Sequence, residues 1–183
     1  MPFIVVYDAN ALYGNTLRDL LIRIAQTDLV QAKWTDRILD EVLGGVKKRH
    51  PDLGPERIDR LRELMIQAVP DCIVRGHEPL IEGLQLRDPD DRHVLAAAIK
   101  AGAQVIVTSD KDFTSKALAP WNIEAKTPDE FVLDQIEIAD RMIWGCVQQI
   151  ANSRSNPPET VEDVLGQLER AGLLRSAAAL RQG

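Results

Sequence analysis

The chain has 183 residues, 45% of them hydrophobic and 27% charged, with a formal net charge of −6. That composition describes a globular chain with a sizeable core, one domain with room for a small appendage, and excludes intrinsic disorder. The acidic balance excludes binding nucleic acid by bulk basicity, but leaves open a metal-loaded acidic site beside a local basic patch.

No apolar run approaches the roughly 20 residues that span a bilayer. "FIVVY" is short and runs straight into Asp8, without the basic and apolar regions of a signal peptide. Cys72 and Cys146 are isolated thiols without metal-ligand spacing, so buried free cysteines in a reduced, cytoplasmic protein are expected.

Residues 3–7 read as a buried strand, being short, apolar and β-branched. A helix follows, with Leu17, Leu20, Leu21 and Ile24 on one face. Thr35 suits the N-cap of a second helix, whose inner stripe is Ile38, Leu39, Val42, Leu43 and Val46. Gly44-Gly45 weakens its end, and "KKRHPDLGPE" reads as a basic loop. Glu56 to Ala68 is predicted helical, with Ile58, Leu61, Leu64 and Met65 inward and Pro70 as its stop. Cys72 to Val74 is a candidate short strand. Asp88 can cap and Pro89 suits a first helical position ahead of a stripe of Val94, Leu95, Ala98 and Ile99, which Gly102 ends. Val105 to Thr108 is a second buried strand, and "WNIEAK" a candidate edge strand. Thr127 and Pro128 open a helix, and from about Asp129 the pattern is all helical, with "NSRSNPPET" as a linker and Gly172 between two short helices. Alternating strands and helices predict a parallel sheet covered on both faces, an α/β protein.

Sites in open α/β sheets lie outside the carboxyl ends of the strands. Asp8 and Asp110 follow the two strong strands, so they face one cleft if those strands are neighbours. Asp91 falls on the inward side of its helix at the first turn, and Glu41 on the flank of an apolar stripe, with Asp40 facing further out. Taken singly, each acid also has a plainer reading as turn, cap or solvated helix residue. Together, carboxylates converging in one cleft repel unless a cation sits among them. Oxygen donors suit Mg²⁺ or Mn²⁺ and phosphate chemistry. Zinc is disfavoured, since the chain offers only His50, His77 and His93 and no cysteine at ligand spacing. His93 reads as a structural or solvated residue. Relief of repulsion also predicts that Asp8→Asn leaves the metal-free fold intact or more stable.

"VVYDANAL", a helical "DEV" acid and "DDRHVLAAAIKAGAQVIVTSDKDF" together resemble a PIN-domain ribonuclease, of the VapC type found in bacterial toxin–antitoxin pairs. The resemblance covers about residues 3–128, and the remainder resembles a helical C-terminal extension of some such toxins. It implies a three-layer α/β/α sandwich with a central parallel sheet over residues 1–128 and a helical extension over 129–183. It also implies an endoribonuclease that cuts single-stranded RNA with Mg²⁺ or Mn²⁺, leaving a 5′-phosphate and a 3′-OH. By motif the family's acids fall on Asp8, Glu41, Asp91 and Asp110, and its accessory polar positions on Asn10, Thr108 and Asp112. The family also implies an antitoxin partner and a homodimer. Lys47, Lys48 and Arg49 are candidates to follow the RNA backbone, with a solvated loop as the plainer alternative; only 4% of residues are aromatic and able to stack on bases.

Two other functions compete. A haloacid-dehalogenase-like phosphatase would use Asp8 as nucleophile, but its second Asp is replaced by Asn10. A non-catalytic PIN-like module would bind a partner, although all four acids are present. The C-terminal helices faintly resemble a helix-turn-helix, with only Arg175 and Arg181 as cations on the second, so packing against the core or a partner is expected instead.

Overall fold

The computed structural model describes residues 2–183. In chain order its elements are β1 (Phe3–Tyr7), a 3₁₀ turn (Ala9–Ala11), α1 (Asn15–Ala25), β2 (Val30–Lys33), α2 (Asp36–Arg49), α3 (Pro55–Ala68) and α4 (Glu78–Ile81). A second 3₁₀ turn (Pro89–Asp91) leads into α5 (Arg92–Ala101) and β3 (Val105–Val107). Then come α6 (Ser115–Leu118), a third 3₁₀ turn (Ala119–Trp121), β4 (Glu124–Lys126), α7 (Pro128–Ser153), α8 (Val161–Arg170) and α9 (Leu174–Gln182).

The strands form one parallel sheet in the order β2-β1-β3-β4. Helices flank it, as the α/β sandwich requires. Tyr7 of β1 stands in register with Val107 of β3, so both strands release the chain at one level. That adjacency is what brings the residues after each strand together. The β2 strand, unmarked in the sequence reading, alternates buried Val30 and Ala32 with more exposed Gln31 and Lys33. Its two apolar positions are too few to stand out, and pairing with β1 defines it. Cys72 to Val74 contributes only an isolated bridge, Trp34 to Ile73.

Several ends are set by local chemistry. Thr35 Oγ1 accepts from the Ile38 N–H at 3.0 Å and starts α2. Gly102, with φ of +68°, ends α5 in the left-handed region where glycine carries no Cβ penalty. A reciprocal capping box opens α7: Thr127 Oγ1 accepts from the Glu130 N–H, and Glu130 accepts from the Thr127 N–H. Two sequence expectations fail. Lys47, Lys48 and Arg49 lie in the last turn of α2 and not in a loop, because the glycines do not stop the helix. Leu64 of α3 is 45% exposed, since only Met65 on that helix is fully buried.

On one side of the sheet Tyr7 donates its hydroxyl to the Leu21 carbonyl of α1 and meets Phe131 of α7 edge-on, with ring centres 5.9 Å apart. Trp34 stacks on Tyr7 at 6.2 Å. Such aromatic pairs each add about 0.5–1.5 kcal/mol beyond the burial itself. The apolar core runs unbroken from Val5 through Phe131 and Ile143 to Leu165 and Leu180, so the C-terminal helices share it. Cys72 and Cys146 are free and buried. Among the described residues no helix is long and apolar enough to cross a membrane.

Candidate active site

Asp8 leaves β1 with its N–H donating to the Val107 carbonyl at 3.0 Å, which pins it to the neighbouring strand. The residue is only 5% exposed. Its Oδ1 accepts from the Ala9 N–H at 2.8 Å; its Oδ2 accepts from the Thr108 hydroxyl at 2.8 Å and the Asn10 amide at 3.2 Å. Thr108 Oγ1 in turn accepts from Asn10 Nδ2 at 3.1 Å and from the Asp110 N–H at 3.0 Å. Asn10 Oδ1 accepts from the Ser109 N–H at 3.0 Å. The two strand ends are thus stitched together by short polar side chains, and the Asp8 carboxylate has one orientation.

Asp91 does not sit inside a helix, as its spacing suggested. It ends the 3₁₀ turn and occupies the N-cap of α5. Asp88, whose Oδ1 accepts from the Asp90 N–H at 2.9 Å, caps that turn. After β3, Asp110 Oδ1 accepts from the Asp112 N–H at 2.9 Å, which swings Asp112 back toward Asp88. Among the described residues Asp88, Asp91 and Asp112 can each bring a carboxylate oxygen within 4.8 Å of the others. Asp88 is therefore an acid that sequence reading assigned to capping alone. The run Asp88, Asp90, Asp91 was visible, but not which of its members turn inward.

Glu41 lies on the flank of the group. Its Oε1 is 2.8 Å from Nε2 of His93, which is 1% exposed, and 3.9 Å from Arg37. His93 is thus buried and not solvated, in keeping with the structural of its two readings, and it contacts one of the predicted acids. Asp40 turns the other way and pairs with Arg62 of α3, which separates the roles of these adjacent acids. Arg49 lies with its guanidinium 5.5 Å from the centre of the Tyr13 ring, which rests against Gly45.

The electrostatics follow from crowding. Burial, first, raises the Asp8 carboxyl above its ordinary 3.8; bonds from Thr108 and Ala9 pull it back, and the Glu41 charge adds to the rise. Asp91 is pushed up to about 8, by desolvation first and then by Asp110, Asp8 and Asp88. Its Oδ2 is cut off from solvent with no donor facing it among the described residues. Asp91 and Asp110 can share a hydrogen bond only while one of them keeps its proton. A buried carboxylate oxygen without a donor, inside a set of hard oxygen ligands, fits a divalent cation such as Mg²⁺ or Mn²⁺. The acids whose oxygens converge among the described residues are Asp88, Asp91 and Asp112; Asp110 and Asp8 lie near enough to act on Asp91 but are not part of that group, and neither is Glu41.

A family model for the PIN domain matches residues 4–112, and one described as the VapC50 C-terminal domain matches residues 128–182. The chain is 39% identical over 79 residues to a protein of Mycobacterium tuberculosis (strain ATCC 25618 / H37Rv) that carries the name "Putative ribonuclease VapC50". That stretch is 43% of this chain and 47% of the relative, so the match spans about half of the relative's length. No solved structure matches. With more than half of its residues under one family model, and a C-terminal segment of the VapC50 type behind it, the chain belongs to the PIN-domain family.

Proposed function

We propose that the protein is a divalent-metal-dependent endoribonuclease, the toxin of a toxin–antitoxin pair, working in the cytoplasm on single-stranded or loop regions of RNA. The observation that carries this reading is the acid set at the carboxyl edge of the sheet, with the donorless Asp91 oxygen at its centre. A carboxyl whose pKa is pushed up to about 8 keeps its proton at neutral pH, and becomes a ligand when a cation replaces that proton.

In this reading Mg²⁺ or Mn²⁺ supplies Lewis acidity at the scissile phosphate and lowers the pKa of water. The chain's own residues do the placing. Asp8 is locked by Ala9, Asn10 and Thr108, so its oxygens face the cleft without reorganisation on binding. Asp91, once deprotonated, and Asp110 would complete the ligand set. Glu41, steadied by His93, closes the far side. Asn10, Thr108 and Asp112 orient the ligands and the loop after β3. Lys47, Lys48 and Arg49, exposed on the last turn of α2, offer charge to the RNA backbone. Residues 1–128 serve as the nuclease unit and 129–183 as an extension that packs on it; a cognate antitoxin and a second copy of the chain are its expected partners.

The phosphatase alternative has less support. A nucleophilic Asp8 of that type would have an acid two residues on as proton donor, whereas Asn10 is an amide that donates to Asp8.

The test is incubation of total cellular RNA with the purified protein in Mg²⁺, in Mn²⁺ and in EDTA, beside Asp8→Asn. Discrete cuts that need both metal and Asp8, with 5′-phosphate ends, are expected. Cuts that survive EDTA, or that persist in Asp8→Asn, overturn the mechanism.

A further inference from the structure

The acid cluster opens onto a groove that the nuclease reading leaves without a role. One wall is Gly83 to Arg87, which runs directly into Asp88; the other is Thr114 to Trp121, just beyond Asp112. Asp112 itself lines the groove, and through it the groove adjoins Asp88 and Asp91, whose oxygens meet that of Asp112. The cavity is about 480 Å³. Its lining combines two cations, Arg87 and Lys116, with an aromatic, Trp121, beside the single acid Asp112. Trp121 is 45% exposed, whereas Trp34 is wholly buried. Arg87 is 86% exposed at its side chain and stands 3.6 Å from Asp112, so it lies between groove and acids. The third 3₁₀ turn, Ala119–Trp121, carries the indole, and Thr114 caps the short helix that carries Lys116.

Resting on the nuclease reading, we propose that this groove is the subsite for the RNA strand leaving the acid cluster, with Trp121 stacking on a base and Lys116 and Arg87 meeting phosphates. A flat indole beside two cations is the combination that binds single strands without demanding sequence, because every base has a π-face and every nucleotide a charge. RNA is the occupant that the position favours, since the strand is continuous with the phosphate being cut at the neighbouring acids.

The test uses the full-length Asp8→Asn chain and a 5′-labelled, random-sequence single-stranded RNA oligonucleotide, with affinity measured across a salt series. In that background Trp121→Ala is expected to weaken binding by at least about five-fold, while Trp121→Phe keeps most of the affinity. Lys116→Ala is expected to weaken binding and to reduce the salt slope by about one. Mn²⁺ titration of Trp121→Ala and Lys116→Ala made in the chain with Asp8 intact should give that chain's own isotherm, which separates loss of the groove from damage to the acids. If RNA binds equally well to the parent, Trp121→Ala and Lys116→Ala, the groove proposal is overturned and the nuclease reading stands. If the otherwise native chain neither cuts RNA with metal nor binds it, the nuclease reading fails and takes the groove with it. Should Trp121→Ala not fold, Lys116→Ala on its exposed helix decides the matter.

Discussion

The carboxyl edge of the sheet and the C-terminal helices treat the same residue type in opposite ways. In the helical region Asp129, Asp163, Glu162 and Glu169 each have a donor, while Glu159 Oε2 is buried without one. Asp129 accepts from the N–H groups of Arg175 at 3.1 Å and Ser176 at 2.9 Å, capping α9 from across the fold. Asp163 closes a capping box with Thr160, and those bonds hold its carboxyl below the usual range. Glu162 and Glu169 both pair with Arg181. At the sheet edge the carboxyls of Asp91 and Asp110 crowd each other, and burial and repulsion raise Asp91 to about 8. Those four helical acids draw their donors from the fold, whereas Asp91 and Asp110 at the edge face each other.

The largest effect expected from breaking this contrast is on activity. Asp8→Asn and Asp91→Asn should each lower RNA cleavage by at least about 100-fold, since each removes a ligand and not merely a supporting bond; cleavage of a labelled RNA at saturating Mn²⁺ reads this. The two variants should then part company in metal-free stability. Asp8→Asn puts an amide where Thr108 and Asn10 already donate, so the relief expected from repulsion alone is offset by a donor facing donors. Asp91→Asn has no donor to offend and should raise the metal-free melting temperature at pH 8 and above.

The pH dependence has a definite sign. Between the ordinary 3.8 and about 8, Asp91 keeps its proton in the folded chain and has lost it in the unfolded one. Stability therefore falls as pH rises through that window in metal-free protein, then levels off. Urea unfolding across pH should show this slope, and Asp91→Asn should flatten it. Mn²⁺ binding should release about one proton near pH 7 and none well above pH 8, which calorimetry in buffers of different ionisation enthalpy measures. A metal-free chain whose stability rises through this range would sink the proposed crowding.

At the satisfied end of the comparison, Asp129→Ala leaves two α9 N–H groups without an acceptor. It should cost about 0.5–2 kcal/mol in urea unfolding while RNA cleavage stays unchanged. Smaller still is a pair of adjacent glycines in α2. A Cβ at Gly45 would lie 2.4 Å from Tyr13 Cε1, whereas one at Gly44 meets nothing within 4 Å. Gly44→Ala should stabilise by up to about 1 kcal/mol through helix propensity. Gly45→Ala gains the same propensity but forces the Tyr13 ring aside, so it should come out net destabilising by about 1–2 kcal/mol. Thermal melts of the two variants decide the sign.

The sequence by itself determined what consecutive residues can encode. An apolar run ending in Asp8, the Thr35 and Thr127 caps, Pro128 at a first turn, Gly102 as a stop and the stripes of α1, α2 and α5 are local signals that appear in the fold, whereas the stripe read for α3 keeps only Met65 fully buried. The carboxylates were legible as types at strand ends. Tertiary structure alone decided which of them meet. β1 and β3 are neighbours through a register set about 100 residues apart in the chain, which joins Asp8 to Thr108. β2 exists because β1 offers it a ladder, not because its few residues announce a strand. Asp88 joins Asp112, Glu41 meets His93 and Asp40 turns to Arg62 for the same reason. Propensity and capping act over a few bonds and leave a periodic trace. Convergence of charges depends on sheet order and helix packing, which no single stretch of the chain contains.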